Sequence, residues 1–205
     1  MEVNSLSISY QKNNQVAVIK DHLFLLVNEI AYGSEEITYF IKSEIVNLYK
    51  GNKIKEKSFA KRMNIISHKL MRFLKKNHIK EIPLYSINLC YIDVCDVHVF
   101  SIGDNASYIH KKDERDSFLF DKSRGDSKYF YPQLKEKIKV KHLKFDINQL
   151  YNVFLVNNEY YSAFYEHRLF KNRRRLFHPY LDLQEVSFLL KGFNKNNITA
   201  IKVTF

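Results

Sequence analysis

The 205 residues are 45% apolar and 15% aromatic, enough to bury a sizeable core as one domain spanning 1–205, which excludes a disordered chain or a small scaffold needing staples. A net charge of +11 favours an acidic partner, whether protein, nucleic acid or membrane surface, without choosing among them. Two cysteines, Cys90 and Cys95, allow at most one bridge, and neither a signal peptide nor an apolar run of membrane-spanning length is read, so a reducing cytoplasm with free, buried thiols is expected.

Near the N-terminus, the apolar runs Leu6 to Tyr10, Gln15 to Lys20 and Leu23 to Val27 read as three strands of an antiparallel meander, separated by Asn13-Asn14 and Asp21-His22. Ser34 followed by Glu35-Glu36 marks a helix start, with an N-cap and acidic residues where they favour the helix dipole. That helix is expected to run to about Lys50 and to stop at Gly51. Phe59, Met63, Ile66, Leu70 and Phe73 then recur at spacings of four, three, four and three, the pattern of a helix with one buried face and, here, a basic outer one. Asn77-His78 ends it, and Leu84 to Ile92 reads as a buried strand.

Val97 to Lys111 follows as two β-type runs meeting across Gly103-Asp104-Asn105, a hairpin in which glycine supplies the unusual backbone angles and Asp104 or Asn105 closes the turn through its own side chain. The first run is apolar on both faces, as in a strand covered on both sides. Asp93 and Asp96 close the preceding turn. Residues 111–133 suggest another hairpin with a loop, and Ile138 to Phe145 an irregular strand. Tyr151 to Val156 is a buried strand, Tyr160 to Phe177 is partly helical, Asp182 caps a helix through Leu190, and Ile198 to Phe205 alternates as a last strand. This order fits an antiparallel sandwich with helices outside.

Four stretches, in this order, resemble the landmarks of the metal-dependent serine/threonine protein phosphatases of the 2C type. Asn13-Asn14-Gln15-Val16 with Leu23 to Gly33 is similar to an opening Asn-Glu/Gln-Asp triplet before a strand ending in Asp-Gly. Ser86 to His110 resembles the central strands with their Gly-Asp-Ser-Arg turn, and Val153 to Glu159 the late strand ending in Ser-Asp-Gly. Asn196-Asn197-Ile198-Thr199 is similar to the terminal Asp-Asn-Ile-Thr. The resemblance implies an α+β fold, a four-layer αββα sandwich of two antiparallel sheets flanked by helices. It also implies an active site at one end of the sheets, where carboxylates hold two hard divalent cations and bridging water attacks phosphorus.

Carried over by position, the metal aspartates are missing: Val16, Asn28, Asn157 and Asn196 stand in their places, and Glu29 replaces the glycine of the early Asp-Gly. Neutral amides do not offset the repulsion of paired dications, so no metal, no cofactor and no catalytic residue is expected. Glu29 as a displaced ligand is the minor alternative. The histidines show no tight pairing with carboxylates or cysteines, which disfavours zinc, and Cys90 within an apolar strand reads as packed rather than nucleophilic. An Arg-x4-6-His spacing near Arg72 and Arg173 is similar to helical ribonucleases, a poor fit to a strand-rich chain.

The expectation is a non-enzyme, a pseudophosphatase acting as a protein-binding regulator or scaffold, its partner another protein with an acidic surface and its binding residues Arg173, Arg174 and Arg175. The alternative is a nucleic-acid-binding protein using the basic aromatic segment 160–178, and the third reading an enzyme with a relocated metal site.

Overall fold

The computed structural model describes residues 1–8, 15–20, 22–49, 56–112, 118–119, 129–132, 138–157, 159–160, 182–184 and 198–205. Outside them lie the expected turns at Asn13-Asn14 and Asn194 to Asn197, the helix stop at Gly51, most of the 111–133 hairpin, the segment 161–178 with Arg173 to Arg175, and the helix body after Gln184.

The strands are β1 (Glu2–Ile8), β2 (Gln15–Lys20), β3 (Leu23–Ala31), β4 (Leu84–Ile92), β5 (Asp96–Ile102), β6 (Ala106–Lys111), β7 (Phe118–Leu119), β8 (Lys141–Asp146), β9 (Leu150–Val156) and β10 (Ile198–Thr204); α1 (Glu35–Leu48) and α2 (Glu56–Lys76) separate β3 from β4. They form two antiparallel sheets, ordered β1-β10-β9-β6-β7 and β2-β3-β4-β5-β8.

Alternation divides the second sheet's side chains between two cores. Phe24, Leu26, Cys90, Val97 and Val99 face the other sheet, where Ile109, Val153, Leu155, Ile201 and Val203 meet them. The intervening residues Leu23, Leu25, Val27, Leu89 and Phe100 face Ile37, Ile41 and Ile45 of α1 and Phe59, Met63, Ile66 and Leu70 of α2. A strand buried on both faces must be apolar on both, which is why β3 lacks a polar face over most of its length.

Ser34 caps α1, its hydroxyl accepting from Ile37 N at 3.2 Å, and the helix ends two residues sooner than expected, where Tyr49 N donates to Val46 O in a tightened last turn. Among the described residues, no helix is long and apolar enough to cross a membrane.

Three sequence expectations change. β1 starts at Glu2 and pairs with β10, so only β2 and β3 form a meander; an edge strand's own residues do not specify its partner. β5 and β6 form no hairpin, because β5 pairs with β4 and β8 while β6 pairs with β7 and β9. The Gly103–Asn105 turn therefore carries the chain from one sheet to the other. Finally, Cys90 is buried but Cys95 is exposed, and both are free.

Candidate functional site at the sheet ends

At one end of the sandwich the inter-sheet layer turns polar. The inward row of β3 runs Phe24, Leu26, Asn28, and that of β4 runs Cys90, Asn88, Ser86 toward the same end. All three polar residues are fully buried. Groups removed from water must be paired inside, and most of these are. Ser101 Oγ donates to Asn88 Oδ1 at 2.8 Å, while Asn88 Nδ2 donates to Ala106 O at 2.9 Å and Ser107 Oγ at 2.8 Å. The two bonds from Asn88 Nδ2 cross from one sheet to the other beside the Gly103 turn.

Gly103 has φ +90, and a Cβ there would collide with the Ser86 side chain and lie 3.0 Å from its Cα, so the close approach requires glycine twice over. Ser86 Oγ then donates to Asp104 Oδ1 at 2.6 Å and accepts from Asp104 N at 3.0 Å, and Tyr129 OH donates to Asp104 Oδ2 at 3.1 Å. Asp104 is thus a turn residue, held by hydroxyls. Burial, then the neighbouring Asp104 carboxylate, pushes the Tyr129 phenol up, so it stays a donor.

The residues at the landmark positions separate. Asn28 Nδ2 donates to Glu159 Oε2 at 3.4 Å, across the gap between the sheet ends, and Asn28 Oδ1 is buried without a hydrogen-bond partner among the described residues. Glu29 points to the opposite face of β3, its Oε1 accepting from Gly33 N at 2.9 Å, where it closes the turn into α1. Asn157 Oδ1 accepts from Tyr160 N at 3.0 Å and Thr199 N at 3.1 Å, tying the end of β9 to β10. Val16 pairs with Val27 in the β2–β3 ladder. Asn196 and Arg173 to Arg175 lie outside the described residues. The structure therefore brings Asn28 and Glu159 together, sets Asn157 in the frame beside them, and turns Glu29 away.

Glu159 is the residue that position-by-position reading misses. It stands two residues beyond Asn157, and the signal was present in the order Asn157-Asn158-Glu159, a carboxylate just past the strand end. Asn105, almost fully buried one residue before the Ala106–Val156 pair, has both side-chain polar atoms without a partner among the described residues. The Tyr160 hydroxyl is buried as well, and burial pushes its pKa well up.

Two hard dications side by side need several carboxylate oxygens. Here Asp104 is committed to hydroxyls, Glu29 to Gly33 and Asn157 to backbone amides. That leaves the Asn28–Glu159 contact, and no three His, Cys, Asp or Glu residues converge among the described residues. This donor set does not fit a pair of dications.

No protein-family model matches the sequence, and no curated protein matches it. Solved structures do match along the whole chain. A bacterial serine phosphatase aligns with a TM-score of 0.71 at 13% identity, covering 100% of this chain and 97% of that one. The catalytic domain of the serine/threonine protein phosphatase PstP, in complex with two manganese ions, aligns at 0.73 and 9% identity, covering 98% and 96%. PppA, described as a key regulatory component of T6SS in Pseudomonas aeruginosa, aligns at 0.72 and 12%, covering 100% and 97%. The chain thus has the phosphatase 2C-like fold, with its two antiparallel sheets and helices.

These matches overturn the expectation of a non-enzyme. The structures sharing this fold across its full length include serine/threonine phosphatases, and absent aspartates at aligned positions do not suffice to rule out activity. The physical flaw in that inference is visible at Glu159, where a neighbouring position delivers a carboxylate to a sheet end whose aligned residue is neutral.

Proposed function

We propose that this chain works by binding another protein, as a regulator or scaffold built on the phosphatase 2C-like fold, and that its partner presents an acidic surface. The observation that carries the reading is the exposed, basic outer face of α2. The charge agrees: the chain carries +11, and Lys61, Arg72, Lys75 and Lys76 are exposed along α2, a field that steers an anionic partner. PppA, a regulatory component built on the same fold, supports it as well.

The test is affinity capture from the native host, followed by reconstitution of the captured complex from purified components. A stoichiometric complex that weakens at least tenfold when Lys61, Arg72 and Lys76 are changed together to Glu is the expected result. Failure of any protein to reconstitute, together with Mn²⁺-dependent phosphate release from phosphoproteins, would overturn the reading in favour of a phosphatase acting by turnover.

A further inference from the structure

The edge of the second sheet carries an arrangement that neither the sheet ends nor the α2 face uses. In the β5–β8 ladder Phe100 lies opposite His142 and His98 opposite Lys144, so the two imidazoles are diagonal neighbours on the helix-facing side. His98 Nδ1 and His142 Nε2 are 3.0 Å apart and the ring planes differ by 4°, so one ring donates directly to the other. Phe100 stacks on His142 at 4.4 Å and Tyr91 flanks His98 at 6.4 Å, which holds both rings in place. β8 is an edge strand whose six residues are all exposed or only partly buried, whereas β4, on the other side of β5, is buried along most of its length. With little apolar burial to secure β8, a side-chain tie across to β5 matters more there than in the sheet centre.

A ring-to-ring bond needs one hydrogen between the two nitrogens. It survives with both rings neutral, and with one charged ring donating to its neutral neighbour. With both charged, each nitrogen carries a hydrogen, and at 3.0 Å those hydrogens would stand about 1 Å apart between like charges. The rings must then separate. The Asp146 end of β8 is held independently, by Lys144 to Asp96 at 2.9 Å and by Ile147 N donating to Cys95 O at 2.9 Å, so the strand opens from its Lys141 end. We infer that the His98–His142 bond is a proton-gated latch, which holds β8 to β5 while the rings share one hydrogen and releases the Lys141 end when both are charged.

The charged and titratable groups around the pair set the direction of the response. Asp96 of β5 and Asp93 of the preceding turn favour charge on His98, and Lys144 of β8 opposes it. β4 contributes the Tyr91 phenol, with Tyr49 behind it at 6.1 Å, and α2 packs through Phe59 on Phe100 while its Arg62 donates to Leu48 O. Burial, then the neighbouring His142, prevails and holds His98 below the ordinary histidine range. The latch is therefore closed at neutral pH, and its hold is lost as pH falls.

Ring-nitrogen NMR of the full chain between pH 8 and 4.5, with amide exchange measured on either side of each titration step, tests the latch. His98 and His142 are expected to titrate as a pair in two steps more than one pH unit apart. Across the second step the protection factors of Lys141 to Leu143 should fall at least tenfold, while those of β4 stay within threefold. His142→Gln, which keeps a hydrogen-bonding group without a titrating one, should hold that fall below threefold, and a His68→Ala control should behave as wild type. Independent titration of the two rings, no second step by pH 4.5, unchanged protection of Lys141 to Leu143 across it, an equal loss in His142→Gln, or a loss shared with β4 would each overturn the inference.

Discussion

Replacing Gly103 by alanine strikes the one place where chain direction, sheet crossing and site geometry coincide. Its φ of +90 is left-handed, where an L side chain costs about 1–2 kcal/mol. The added Cβ would also meet the Ser86 side chain and sit 3.0 Å from Ser86 Cα, and overpacking of a filled core costs about 1–3 kcal/mol. The sum, about 2–5 kcal/mol, is a large part of the ~5–15 kcal/mol by which a domain is stable. Urea denaturation read by circular dichroism measures it as a lower midpoint at unchanged slope, and at roughly 2–4 °C per kcal/mol the melting temperature should fall by about 4–20 °C. Ser86→Gly in the same background should recover at most a fraction of the loss, since the backbone strain and the approach to the residue-86 Cα stay and Asp104 loses its hydroxyl partner. A Gly103→Ala variant within about 0.5 kcal/mol of wild type would refute the reasoning, showing that the turn relaxes and that Ser86 does not define its shape.

Changing Asn28 to Asp puts a second carboxylate within hydrogen-bond reach of Glu159 in a buried setting; the expected loss at pH 7.5 is on the order of 2 kcal/mol, relieved by Mn²⁺ or at pH 4.5, and equal melting temperatures with and without Mn²⁺ would count against it. Because His98 is held below its ordinary pKa, the unfolded chain takes up this proton near pH 6.5 and the folded chain only at lower pH. Stability should therefore fall as pH drops through that interval and level off beneath it, a component that His98→Asn removes from denaturation measured between pH 7.5 and 5. Phe59, with 1% of its surface exposed and its ring 4.5 Å from that of Phe100, joins α2 to the sheet. Phe59→Ala should cost about 3–5 kcal/mol by urea denaturation, whereas an exposed Lys61→Ala should stay within about 0.5 kcal/mol.

What could be read before folding was whatever one segment decides for itself. The apolar stripe of α2 announces a buried face, and Phe59, Met63, Ile66 and Leu70 are each at most 1% exposed. Ser34 caps where a short polar residue before two acids should cap. Pairings decided by distant segments were not legible. Gly103-Asp104-Asn105 specifies a turn, but a turn between two strands of one sheet and a turn between two sheets draw on the same local chemistry; the crossing is held by Asn88, which reaches Ala106 and Ser107 from another strand. His98 and His142 become neighbours only through a register linking residues 44 apart. Glu159 was passed over because alignment asks what occupies a position, whereas the folded chain asks which oxygen arrives at a place.

The sheet crossing also explains why the candidate site can change its charge without losing its shape. Ser101, Asn88 and Ser107 join the strands of both sheets through neutral hydrogen bonds, none of which depends on a metal or a titrating group. In a low-dielectric interior such a paired network is stiff, and it would be costly to open because each broken bond leaves a buried polar atom bare. Asp104 hangs from this frame through Ser86 and Tyr129. Asn157 is tied to backbone amides of β10 and of the turn after β9. Asn28 and Glu159 stand just beyond the frame, joined by one long bond of 3.4 Å, with Asn28 Oδ1 unpartnered among the described residues. Substitution there changes what the sheet ends attract while the network behind keeps the strands in place, and that separation is what the Asn28→Asp variant measures: a folded protein with altered cation response, rather than an unfolded one.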